Sequence, residues 1–175
     1  MYLDFVKINN MMDLIQHYSY LGLFVILFIE EAGIFLPVPG DIFIAATATL
    51  PQSNYLLVVA TVVASTLCGS TILFFLSRTF GRKLLTKFGK YIRLTPERIK
   101  KVQKWFQKYG GSTIIIGRLI PGLRIVTPFV AGLFEVNFKT FWAYTALAAF
   151  IWANIYFLIG RFFGEIFSKF YPLFF

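Results

Sequence analysis

Five ionisable residues stand inside sequence that is otherwise apolar. Arg118 and Arg124 lie six positions apart in Gly117-Arg118-Leu119-Ile120-Pro121-Gly122-Leu123-Arg124. Glu30, Glu31 and Asp41 flank Ala32-Gly33-Ile34-Phe35-Leu36-Pro37-Val38-Pro39-Gly40. A guanidinium keeps its charge at every accessible pH. At the centre of a membrane helix each arginine costs roughly 2.5–3.5 kcal/mol on an insertion scale. Two acids and two arginines left unpaired in hydrocarbon would cost on the order of 10 kcal/mol. Such groups are expected to pair with one another or to line a water-filled cavity. The carboxylates are also candidate sites for a proton or cation. Burial would raise their pKa and a neighbouring arginine would lower it, and the sequence leaves the balance open.

Little else could do chemistry. His17 is the only histidine and sits in an aromatic apolar stretch, where packing is the simpler role. Cys68 is the only cysteine, which excludes an intramolecular disulfide and a cysteine-rich metal site. No nucleophile–base pair or metal cluster accompanies the arginines, so no catalytic residue, metal or cofactor is expected.

The elements that must position these charges are membrane elements. The 175 residues are 58% hydrophobic and 19% aromatic, which makes the bilayer the expected solvent. Mean hydropathy is +0.71. The formal net charge is +9, and the segment from Arg82 to Lys108 carries all of it, with ten basic residues against Glu97. One basic segment between apolar spans points to anionic lipid headgroups and away from nucleic acid. The N-terminus has neither a basic n-region nor a small-residue cleavage site, so no removable signal peptide is expected.

Two prolines and two glycines between Ala32 and Asp41 cannot continue a helix. Residues 14–50 are therefore expected as two half-length helices meeting at a tip shaped by Pro37, Pro39 and Gly40, a re-entrant hairpin. The simpler alternative is one spanning helix followed by a loop. Residues 53–78 form a full span ending at Arg78-Thr79-Phe80-Gly81, in which Gly69 and Ser70 allow close helix packing. Residues 82–110 are a basic amphipathic linker. Thr95 caps a helix there, Pro96 opens it, and Gly110-Gly111 stops it. Its aromatic face suits a membrane surface, and its lysines place it in the cytoplasm. Residues 112–134 break at Pro121, Gly122 and Pro128 and are expected as a second re-entrant hairpin. Residues 137–161 form a second full span ending at Arg161-Phe162-Phe163-Gly164. Arg78 and Arg161 are expected to snorkel to headgroups. Trp105, Trp142 and Trp152 fit helix packing or interface belts.

The halves repeat. The two Arg-x-Phe-Gly motifs are 83 residues apart, Asp41 and Arg124 are also 83 apart, and Pro37 and Pro121 are 84 apart. A hairpin that enters and leaves on one side leaves each half crossing once, so the second half is inverted. Inverted repeats with broken helices in matching places point to a transport site near the midplane. The fold class expected is an all-α polytopic membrane protein, one domain over residues 1–175, with the acidic tip facing the basic tip.

Glu30-x-x-Gly33, Pro37-x-Pro39-Gly40-Asp41, Phe106-x-x-Tyr109-Gly110-Gly111, Gly117-Arg118-x-x-Pro121-Gly122-x-Arg124, Ala131-Gly132 and Phe141 through Trp152 carry a resemblance. Over residues 20–165 the chain resembles the DedA family, also called the VTT or SNARE-associated domain. The resemblance implies facing re-entrant hairpins in the bacterial cytoplasmic membrane and a multi-pass lipid transporter. Several bacterial members are implied to return undecaprenyl phosphate across that membrane, others to move phospholipids, often with proton motive force. Ser70 departs from the family, which often has Gly-Asp where this chain has Gly69-Ser70. Asp41 stands where the family commonly has Glu, and Glu31 is an extra acid without an assigned role.

On this resemblance Arg118 and Arg124 are the expected phosphate-binding residues, since guanidinium grips phosphate through paired hydrogen bonds. Glu30, Asp41 and Glu31 are expected to couple protons or cations, or to gate. The plainer alternative is that the arginines only pair with Glu30 and Asp41 to hold the hairpins together. The expected function is a flippase for a polyprenyl phosphate, undecaprenyl phosphate first. The alternatives are a phospholipid flippase or scramblase, an ion or drug–proton antiporter, and a lipid phosphatase. Membrane lipids are the expected partners, and a homo-oligomer stays open.

Overall fold

A computed structural model describes residues 19–34, 36, 39–50, 53–88, 101, 104–106, 108–120 and 123–170. His17, Thr95, Pro96 and the tip residues Pro37, Pro121 and Gly122 lie outside the described residues. All regular structure among the described residues is helical: α1 (described at 19–31), α2 (Gly40–Thr49), α3 (Tyr55–Phe88), α4 (described pieces of 101–109), α5 (Ser112–Leu119), α6 (Val126–Leu133) and α7 (Phe138–Phe170).

The short helices begin and end where local chemistry requires. α1 closes on Gly33, whose φ is +97°, with Gly33 N–H bonding the Glu30 carbonyl and Ile34 N–H the Ile29 carbonyl. That is a Schellman cap, and it explains the glycine of Glu30-x-x-Gly33. It also puts Glu30 and Glu31 in the last turn of α1, at the negative end of the helix dipole. Pro39 is the extended residue before α2. Gly110, with φ +52°, closes α4 through a bond from its N–H to the Phe106 carbonyl. Pro128, expected at a tip, is the third residue of α6 and is buried. A proline is tolerated there because the first N–H groups of a helix have no internal partner.

α3 and α7 contain the two segments long and apolar enough to cross a membrane, Tyr55–Gly81 and Phe138–Gly164. At 1.5 Å per residue, 27 residues extend about 40 Å. Both helices run on past the Arg-x-Phe-Gly motifs expected to end them. A glycine inside a helix costs about 1 kcal/mol but does not stop it. Here Gly81 lets Leu133 approach, and Gly164 does the same for Thr49.

Packing alternates between the halves. α3 lies along α6, α2 along α7, and α3 and α7 against each other. A Cβ at Gly132 would fall on the Phe74 carbonyl, and one at Gly160 on the Ala45 carbonyl. A Cβ at Gly69 would meet the Phe28 carbonyl and Glu31 Cβ at 2.5 and 2.7 Å, so α1 also needs close approach to α3. The Ser77 hydroxyl bonds the Phe129 carbonyl, and Ser70 donates back to the Thr66 carbonyl at 2.6 Å. Apolar side chains form two clusters. One joins α1, α2, α3 and α7 around Leu27, Ile44, Val62, Trp152 and Phe157. The other centres on Phe74 and Phe141, whose rings stack at 4.5 Å, with Ile114 and Ala131. Large apolar side chains such as Leu56, Ile72, Phe75, Leu147, Phe150 and Leu158 face outward.

Candidate functional site

The structure brings the five charges together. Glu30 and Glu31 come from the end of α1, Asp41 from the first turn of α2, Arg118 from the last turn of α5, and Arg124 from the turn before α6. Asp41 and Arg118 suit the ends of their helices. Glu30 and Glu31 at the C-terminus of α1, and Arg124 before the N-terminus of α6, do not. Glu30 and Arg124, each disfavoured by its own helix end, pair with one another.

Arg124 engages all three acids. Its Nη2 is 2.7 Å from Glu30 Oε1, and its Nη1 donates to Asp41 Oδ1 at 2.8 Å. Its Nε is 3.2 Å from Glu31 Oε1, a charge contact without hydrogen-bond alignment. Arg118 Nη2 donates to Glu31 Oε2 at 2.8 Å. Glu31, the acid additional to the family pattern, therefore bridges the two arginines. It is also fully buried. The expected pairing of both arginines with Glu30 and Asp41 holds for Arg124, whereas Arg118 pairs with Glu31.

Backbone and aromatic groups complete the cluster. Glu30 Oε2 accepts the Gly40 N–H at 3.0 Å, so its carboxylate caps the positive end of α2. A Cβ at residue 40 would fall on that oxygen, which is the reason for glycine there. Trp152 lies under Arg124, with the guanidinium carbon 4.0 Å from the ring centroid, a cation–π geometry. Tyr156, one turn further along α7, meets the Trp152 ring edge-on with centroids 5.7 Å apart. Trp152 was expected in helix packing or an interface belt, and Tyr156 had no expected role. Their spacing of four on a helix was the available signal.

A cavity of about 220 Å³ opens beside the cluster, lined by Glu30, Arg118, Leu119, Arg124, Ile125, Trp152, Ile155 and Tyr156. Its lining combines charged and apolar side chains. Such a site can hold an anionic group against guanidinium while an attached hydrocarbon lies on apolar wall.

With this geometry in hand, comparison with known proteins places the chain. Residues 38–162 match the VTT domain family. The uncharacterized membrane protein YbfM of Bacillus subtilis is 34% identical over 157 residues, covering 88% of this chain and 96% of YbfM. The chain belongs to the DedA, or VTT-domain, family. Protein DedA of Escherichia coli K12 is 30% identical over 167 residues, 90% of this chain and 75% of that one. Undecaprenyl phosphate transporter A of Staphylococcus aureus is 27% identical over 164 residues, 89% of this chain and 79% of that one. No solved structure matches. This DedA-family chain is a membrane protein, as its two apolar spans and outward apolar faces require. The matched segment contains Asp41, Arg118, Arg124, Trp152 and Tyr156, while Glu30 and Glu31 precede it.

Proposed function

We propose that the protein is a flippase that carries a polyprenyl phosphate, undecaprenyl phosphate in the first instance, across the cytoplasmic membrane. The observation that carries this reading is a pair of buried arginines, held by three carboxylates, beside a cavity lined by both charged and apolar side chains. The name of the S. aureus relative supports the choice of lipid. The two buried arginines and their acids form the phosphate site, and the hydrocarbon chain stays in the bilayer.

In this reading α1–α2 and α5–α6 are re-entrant hairpins, related by inversion. Two pairs of contacts support the relation: Gly81 against Leu133 answers Gly164 against Thr49, and Ser77 against Phe129 answers Gly160 against Ala45. A pseudo-twofold axis exchanges first-half and second-half partners in this way. The helix breaks then sit at membrane depth, where they line a cavity.

Three carboxylates against two guanidiniums leave one excess negative charge when all are ionised. A proton or cation on one acid balances it. Protonating Glu30 or Asp41 weakens its hold on Arg124 and loosens the cluster around the phosphate site, which couples transport to the proton gradient. With both Asp41→Asn and Glu30→Gln, exchange becomes independent of the gradient. Wild-type rates and gradient dependence in these variants would remove the coupling role.

Leaflet exchange of undecaprenyl phosphate in proteoliposomes tests the function. Arg118→Ala and Arg124→Ala should each reduce the rate at least about tenfold, the loss of about 1.4 kcal/mol or more. Faster exchange of phosphatidylethanolamine than of undecaprenyl phosphate would favour the phospholipid alternative. Exchange of neither lipid, with proton-driven cation flux, would favour an antiporter. Release of inorganic phosphate from the lipid would instead mean a phosphatase.

A further inference from the structure

The geometry points to a division of labour between the two arginines: Arg124 is a clasp that keeps the site assembled, and Arg118 is the arm that receives the phosphate. The inference rests on the lipid-phosphate reading above and assigns the two residues unequal parts in it.

A guanidinium has five N–H donors on three nitrogens. At Arg124 every nitrogen faces a carboxylate, with contacts of 2.7, 2.8 and 3.2 Å to Glu30, Asp41 and Glu31, and the planar face rests on Trp152. It can take a phosphate only by giving up an acid that is itself buried or half-buried. Arg118 is committed through Nη2 alone. Its Nη1 is buried and has no hydrogen-bond partner among the described residues. An unsatisfied buried donor is costly, more so on a charged group. Arg118 also lines the cavity, so a phosphate held there meets a guanidinium that need not give up its 2.8 Å contact to Glu31.

The surroundings fit an incoming headgroup. Arg118 lines the 220 Å³ cavity, which has room for about seven waters at ~30 Å³ each. Glu30 lines it too, but both of its oxygens are engaged, Oε1 by Arg124 and Oε2 by the Gly40 N–H. Its repulsion of an anion is therefore partly quenched. Leu119, Ile125 and Ile155 offer apolar wall for the first carbons of the chain.

The two roles separate in a binding experiment on the full chain in nanodiscs of uncharged lipid. The probes are a short-chain isoprenyl monophosphate, inorganic phosphate and a short-chain phosphatidylethanolamine. The variants are Arg118→Lys and Arg124→Lys, which both keep the charge. Affinity and the ligand-free melting temperature are read together. Arg118→Lys should weaken monophosphate binding by about tenfold or more, since the second nitrogen is lost, and leave melting within about 2 °C. Arg124→Lys should lower melting by several degrees, about 2–4 °C per kcal/mol for a chain of this size, while folded protein keeps its affinity within about threefold. Wild-type affinity in Arg118→Lys overturns the division of labour, and so does an equal loss of affinity in Arg124→Lys at unchanged melting. If wild type binds none of the probes, the lipid-phosphate reading falls and takes this inference with it. Inorganic phosphate binding as tightly as the monophosphate would make free phosphate the ligand and overturn the lipid source.

Discussion

Glu31 holds both arginines, so its loss should cost more than the loss of either neighbouring acid. Glu31→Gln strands Arg118, whose one charged contact it supplies among the described residues. Removing one partner of a buried pair costs about 3–5 kcal/mol. Asp41→Asn should cost less, because the Asp41 side chain is 23% exposed and Arg124 keeps two other acids. Thermal unfolding in detergent should rank Glu31→Gln below Asp41→Asn in melting temperature, and the reverse order would deny Glu31 its bridging role. Trp152 belongs to the same accounting. Trp152→Leu leaves an apolar but smaller side chain and removes the ring under Arg124, and should lower melting by the equivalent of about 2 kcal/mol or more, lost packing and lost cation–π contact together.

The helices meet at glycines where one backbone lies directly against another. Gly132→Ala and Gly160→Ala put a methyl group onto the backbone carbonyls of Phe74 and Ala45, which cannot swing aside as a side chain can. Each should destabilise by about 1–3 kcal/mol, the usual cost of overpacking. Gly22→Ala is the control, since a Cβ there meets nothing within 4 Å. It should be neutral or stabilise by up to about 1 kcal/mol through helix propensity. If all three variants melt alike, the close approaches of α3 to α6 and of α2 to α7 are not limiting. The same helices show why Arg-x-Phe-Gly does not end a span: Gly81 and Gly164 serve contact with Leu133 and Thr49, and the helical backbone continues through them.

Two apolar clusters and an outward apolar surface surround a charged centre, an arrangement that stays assembled only with its charges paired or its cavity wet. Orientation in the membrane follows from charge outside that centre. Lys101, Lys104 and Lys108 are exposed on α4, and short basic segments stay on the cytoplasmic side. In a Cys68→Ser background, Lys104→Cys should react with a membrane-impermeant maleimide only after the cytoplasmic face is opened. Labelling of intact cells would reverse the orientation, and with it the leaflet from which each helix pair is reached.

Composition alone placed this chain in a membrane, because 58% hydrophobic residues cannot be hidden in a core of 175. Hydropathy located the two spans. The cost of burying charge singled out Arg118, Arg124, Glu30 and Asp41, and opposite sign implied that they meet. Glycine and proline marked the breaks, although Pro128 showed that a proline can open a helix as well as end one. Which arginine pairs with which acid was not legible, because it depends on how α1 and α5 lie against α3 and α7, contacts made by residues distant in sequence. Only the tertiary structure could make Glu31 the bridge, bring Trp152 and Tyr156 from α7 to the site, and leave one arginine saturated and the other with an unpartnered nitrogen. Local pattern reports what a charge costs, and packing decides which group relieves it.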